Sequence, residues 1–171
     1  MRQMSELPMI ARTIRAFVLC LGFALPAGLP FASAEASPAE LRLWVARLIE
    51  TLDAGLTRPD LRSLRIEIGA QIRVMRLGAP TAGYELDELN RAIVATDQAW
   101  QLLQGLPACQ PAAAGGPVSQ PPACLAQLRP NLLVLGVDGS EWGSAFTQGA
   151  VVQPILVALR RQAERSLRSL R

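Results

Sequence analysis

The chain reads as an all-α protein: a helical bundle of about four main helices in up-down order, with one disulfide-closed loop between the third and last helices. Three observations point there. Apolar residues recur at helical spacing in four long blocks. Residues that start and stop helices punctuate those blocks. Between the third block and the last lies LPACQPAAAGGPVSQPPAC, a Pro/Gly/Ala/Gln stretch (106–123) bounded by Cys109 and Cys124.

Residues 1–34 read as a cleaved secretory signal peptide, which leaves 35–171 as a single helical domain. Arg2, Arg12 and Arg15 make a positive leader, AFVLCLGFAL follows as the apolar segment, and Ala32-Ser33-Ala34 supplies a small-residue cleavage pattern. The apolar run is broken by Pro26 and Pro30 and is short of the roughly 20 residues a spanning helix needs. A periplasmic or secreted location follows. Arginine without lysine, with abundant Ala, Pro and Gly, fits GC-rich bacterial coding and so the periplasm.

The leader also carries most of the apparent basicity. The whole chain has net charge +3, and removal of its three arginines and Glu6 leaves 35–171 at +1. A nucleic-acid partner needs a clustered cationic excess, so none is expected. Cys109 and Cys124 are the cysteines left after cleavage. An even count in an exported chain reads as one disulfide.

The first helix is predicted over 38–54. Ser37-Pro38-Ala39-Glu40 is a capping box with proline at the first helical position. Leu41, Val45, Leu48 and Leu52 form its apolar stripe, Trp44 is a core or rim aromatic, and Gly55 is a stop. The second block fits two periods. Leu64, Ile66, Ile68, Ala70, Ile72 and Val74 alternate as a strand would, whereas Leu61, Leu64, Ile68, Ile72 and Met75 fit a helix. The start signal Thr57-Arg58-Pro59-Asp60, the length and the Arg, Glu, Gln and Met content choose a helix over 59–77. Ile66, Val74 and Leu77 then lie opposite the main stripe, which suggests a central position in the bundle.

Residues 78–83 read as a turn. The third helix starts near Tyr84 with Glu85, Asp87 and Glu88 favourably placed in its first turns. Gly105-Leu106-Pro107 ends it. After the cysteine loop a short helix begins at Pro121, which Pro130 should end or kink. LLVLGV (132–137) is too short to be typed by period and reads as a buried extended or helical piece. DGSEWG (138–143) is turn chemistry. The last helix spans about 150–170, with Arg160, Arg161, Arg165, Arg168 and Arg171 crowding its C-terminal half.

The absent residue types bound the chemistry. With no histidine and no lysine there is no Ser-His, Cys-His or Ser-Lys nucleophilic site and no Schiff-base lysine. Histidine-ligated metal is excluded, and the single cysteine pair is not a zinc site. No phosphate-binding glycine motif occurs, so no cofactor is expected. An enzyme would depend on carboxylates.

The candidates are Asp138 and Glu141 beside Trp142, two acids that a hydrolase or carbohydrate-binding protein could use. A plain turn explains them more simply. Asp97 flanks the stripe of the third helix, where the alternatives are a partly buried, paired carboxylate and, as the simpler reading, a solvated one.

Two arginine rows are candidate anion- or partner-binding surfaces: Arg62, Arg65, Arg73 and Arg76 with Arg58 on the second helix, and Arg161, Arg165 and Arg168 on the last. Guanidinium groups bind carboxylates and phosphates in pairs of hydrogen bonds. The simpler reading is a solvated face, with Arg73 and Arg76 near Glu85, Asp87 and Glu88. A membrane surface is the weaker use of the last helix, whose apolar face lacks an aromatic anchor. By elimination, the expected function is a non-enzymatic exported interaction protein, an accessory or chaperone/pilot-like subunit for another envelope protein. Its oligomeric state is not legible in the chain.

Overall fold

A computed structural model describes residues 37–78, 83–142 and 146–170. The segment read as a signal peptide and most of the 78–83 turn lie outside the described residues. Among the described residues there are five α-helices: α1 (Pro38–Ala54), α2 (Arg58–Gly78), α3 (Tyr84–Gly105), α4 (Pro121–Leu135) and α5 (Gln148–Ser169). Short 3-10 turns lie at Pro107–Cys109 and Ser140–Trp142. No strand is found among the described residues, only an isolated bridge between Pro111 and Val118.

Local chemistry sets the ends of α1. The Ser37 hydroxyl accepts from the Glu40 amide at 3.3 Å, a cap that contributes about 1 kcal/mol. Gly55 closes the helix at φ 101°, a left-handed conformation that costs glycine little. Leu41, Val45 and Leu48 are buried as the spacing requires. Trp44 is half-buried at the rim, with the Arg47 guanidinium carbon 5.5 Å from its ring.

The second block is a helix throughout. Leu61, Leu64, Ile68 and Ile72 form its buried stripe. Its expected central position is not found. Ile66, Val74 and Leu77 face solvent, at 68%, 39% and 87% exposure. The central element is α3, which packs against α2, α4 and α5. Its buried residues include Ala92, Ala95, Ala99, Thr96 and Asp97 as well as leucines. Small side chains let three neighbours approach one helix, so apolar bulk is a poor guide to which helix sits in the middle.

The segment after the cysteine loop also differs from expectation. One helix, α4, runs from Pro121 through Pro130 to Leu135, so LLVL is helical rather than extended. Pro130 removes one backbone donor and leaves the Ala126 carbonyl without its usual partner. Ala126 and Pro130 are both exposed, so water can satisfy that carbonyl and the helix continues. It ends at Gly136, φ 63°.

Two buried clusters make the core. The first joins α1, α2, the first half of α3 and the second half of α5 around Leu41, Leu61, Leu89 and Leu159. The second joins the end of α3, the cysteine loop, α4 and the start of α5 around Leu103, Leu128, Val151 and the cystine. α5 is fixed to the head of α3 by polar groups that its apolar stripe does not announce. Ser166 Oγ donates to the Glu85 carbonyl at 2.9 Å, and Gln162 Nε2 donates to the same carbonyl at 3.3 Å.

Candidate functional site

Three places gather the residues singled out above: the cysteine loop, the α2–α3 seam and a groove along α4.

Cys109 and Cys124 are bonded, with Cα atoms 4.9 Å apart, and both are fully buried. The bond ties the turn after α3 to the first turn of α4, not directly to the last helix. The enclosed segment is more ordered than a loop held only at its ends. The Ser119 amide donates to the Gln110 carbonyl at 2.8 Å, and the Val118 amide donates to the Phe146 carbonyl at 2.8 Å. Val118 is buried. Gln148 Nε2 donates to the Leu103 and Cys109 carbonyls at 2.6 and 3.0 Å, which seats the start of α5 on the loop. The tip, Ala112–Gly115, is exposed, as are Pro117, Ser119 and Gln120.

In the α2–α3 seam the arginine row meets one buried carboxylate. Asp97 is 4% exposed, which corrects its reading as a solvated flank. Arg65 Nη1 donates to Asp97 Oδ2 at 2.7 Å. Arg58 Nε and Arg62 Nε lie 3.7 and 3.6 Å from Oδ1. Arg58 Nη1 also donates to Gln104 Oε1 at 2.9 Å. At the far end of the row Arg76 pairs with Asp87. Arg73 has no ion pair among the described residues. Arg62 and Arg65 stay 55% and 41% exposed at their side chains, so one face of each guanidinium reaches water.

On α5, Arg161, Arg165 and Arg168 are exposed, and Arg165 hydrogen-bonds Gln162. Arg160 bridges to Asp53 and Glu164 at 3.2 and 3.3 Å.

The turn at 138–142 carries the proposed acidic pair, of which Asp138 is described to its side chain. Asp138 is exposed, and its Oδ1 accepts from the Ser140 amide at 2.9 Å. That backbone hydrogen bond, helped by the Ser140 side chain, holds its carboxyl below the ordinary carboxylate range. Trp142 is half-buried and stacks obliquely on Phe146, with ring centroids 6.0 Å apart. The Glu141 side chain lies outside what is described.

Asp138 instead borders a groove of about 720 Å³ along α4. Leu125, Leu132, Leu133 and Val137 supply its apolar wall, and Arg129 and Asp138 are both in its lining. Asp138 is the carboxylate of that lining among the described residues. Ala126 also lines it. Leu133 of that wall is 70% exposed.

The groove escaped sequence reasoning because LLVLGV could not be assigned a conformation. Its signal was there. A helix whose apolar residues are not confined to one face must leave some of them in water.

No protein-family model matches this chain, and neither a curated protein nor a solved structure matches it. Among the described residues no helix is long and apolar enough to cross a membrane.

Proposed function

We propose that the protein is an exported, non-enzymatic helical interaction protein, an accessory or chaperone/pilot-like subunit for another envelope protein. The observation that carries this reading is the α4 groove. It is open, mainly apolar and lined in part by exposed Leu133. Contiguous exposed apolar surface of this kind marks interaction sites in proteins that remain dissolved. Arg129 and Asp138 in its lining supply the few directional contacts that would set a partner's register. The buried cystine and the hydrogen-bonded loop hold α4 rigidly, which lowers the entropic cost of docking. Export is supported by the leader pattern and agrees with a structural disulfide.

A photo-crosslinking residue at Leu133, in the native envelope, tests this. One discrete adduct is expected at Leu133, none at exposed Glu50, and loss of the adduct when Ala126→Trp fills the groove. Labelling at Leu133 no different from Glu50 would remove the groove as a docking site.

A further inference from the structure

A second surface lies on α2, and none of its residues belong to the α4 groove. Ile66, Ala70, Val74 and Leu77 recur along the outward side of that helix at four- and three-residue spacing, the spacing of a helix-packing seam. Ile66 and Leu77 are the most exposed of them, at 68% and 87%. The stripe has no helix on it among the described residues, since α2 packs on α1 and α3 with its other face.

One flank of the stripe is strongly cationic. Arg58, Arg62, Arg65, Arg73 and Arg76 run along it, against Asp97 and Asp87 from α3. Buried Asp97 holds the first three guanidiniums in place while leaving them donors to spare. On the other flank Glu67 is exposed, and the Asp60 carboxylate is engaged by the Thr57 amide at 3.3 Å.

We propose that this face of α2, the Ile66–Leu77 stripe with its arginine flank, docks a helix of a partner protein that carries acidic residues along one side. The inference rests on the reading of the protein as an interaction subunit and names the partner's chemistry. Charge complementarity selects the occupant. A second copy docked antiparallel would set arginine row against arginine row, which is repulsive. A bilayer would be met by interfacial aromatics, and α2 has none. A partner helix with Asp or Glu at matching spacing would satisfy the guanidinium donors in bidentate pairs and cover the aliphatic stripe.

The test uses the purified protein and a labelled amphipathic peptide with Leu along its seam and Glu on one flank. A twin with Lys in place of Glu is the control. The Glu peptide should bind in a salt-sensitive way and the Lys peptide should not. Leu77→Asp and Arg73→Glu should each weaken binding about tenfold or more, with helical circular dichroism and urea midpoint unchanged. Arg73→Glu should also raise affinity for the Lys peptide. Equal binding of both peptides, or binding of neither, overturns the proposal. So does binding to phosphatidylglycerol vesicles alone, which would make the face a membrane surface. Self-association abolished by Leu77→Asp would assign the face to a second copy and overturn it too. These variants leave the α4 groove intact, so an adduct at Leu133 with no peptide binding would retain the interaction reading and remove this one.

Discussion

Asp97 shows how much one carboxylate can organise. Its side chain is 6% exposed and sits among three guanidiniums contributed by successive turns of α2. A buried acid without partners would be costly, and three half-exposed cations in a row would repel one another. Each problem offsets the other. Asp97→Ala removes the anion, takes the ion pair from Arg58 Nε, which is buried with no hydrogen bond of its own, and unties α2 from α3. A loss of about 1–3 kcal/mol is expected in urea unfolding, toward the lower end because two of the arginines are solvated. A double-mutant cycle with Arg65→Ala should show coupling. Strict additivity would mean that the pair contributes nothing.

Asp138 titrates in the same register of detail. Because its folded pKa is lowered, its contribution to stability is present above the ordinary carboxylate value and is lost as pH falls through the lowered one. An NMR titration of its carboxyl carbon should give a midpoint below 3.8. Ser140→Ala should return it only part of the way, since the backbone amide is the larger cause.

At the scale of elements, α4 is the helix whose chemistry argues against it. Proline in a helix interior costs about 3 kcal/mol against alanine. Here the cost is reduced by exposure of the Ala126 carbonyl and by the packing of Leu128 and Leu132 into the second cluster. Pro130→Ala should therefore stabilise the protein by about 1–2 kcal/mol, the restored hydrogen bond being partly offset by a more flexible unfolded chain. A lowered urea midpoint would show that Pro130 packs in a way the backbone account omits.

The cystine acts on the same element from its other end. Closing a segment with sequence separation 15 contributes about 3 kcal/mol in the chain-entropy picture. Cys109→Ala with Cys124→Ala should lower stability by about that amount. The native protein should be lighter than its reduced form by the two thiol hydrogens, and unreactive to thiol reagents before reduction.

For the whole molecule, the division of the core into two clusters matters most. Both run through α3 and α5, and Leu135 packs partly against each. The cystine belongs to the second cluster alone. Reduction should therefore raise amide hydrogen exchange in α4 and the 106–123 loop well before it does so in α1 and α2. Uniform acceleration along the chain would mean that the two clusters unfold as one unit. The same division places the two exposed apolar faces on different parts of the core, the α4 groove on the second cluster and the α2 stripe on the first.

Much of this architecture was legible along the chain. Helix α1 could be read to the residue from its cap and stop, α3 and α5 from their stripes and boundary residues, and the disulfide from an even pair of cysteines after a leader-like segment. These are local matters: a cap, a period and a proline act within a turn or two. The tertiary structure decided what depends on which turn faces which. Asp97 is buried because the register of α2 against α3 brings Arg58, Arg62 and Arg65 around it, and no spacing within either helix states that register. α3 is central because its alanines admit neighbours, and α4 survives Pro130 because that side of the helix meets water. The sequence by itself determined that this chain makes amphipathic helices and one clip. Only their packing decided which apolar residues would be left uncovered, because burial belongs to pairs of surfaces and not to a residue's own chemistry.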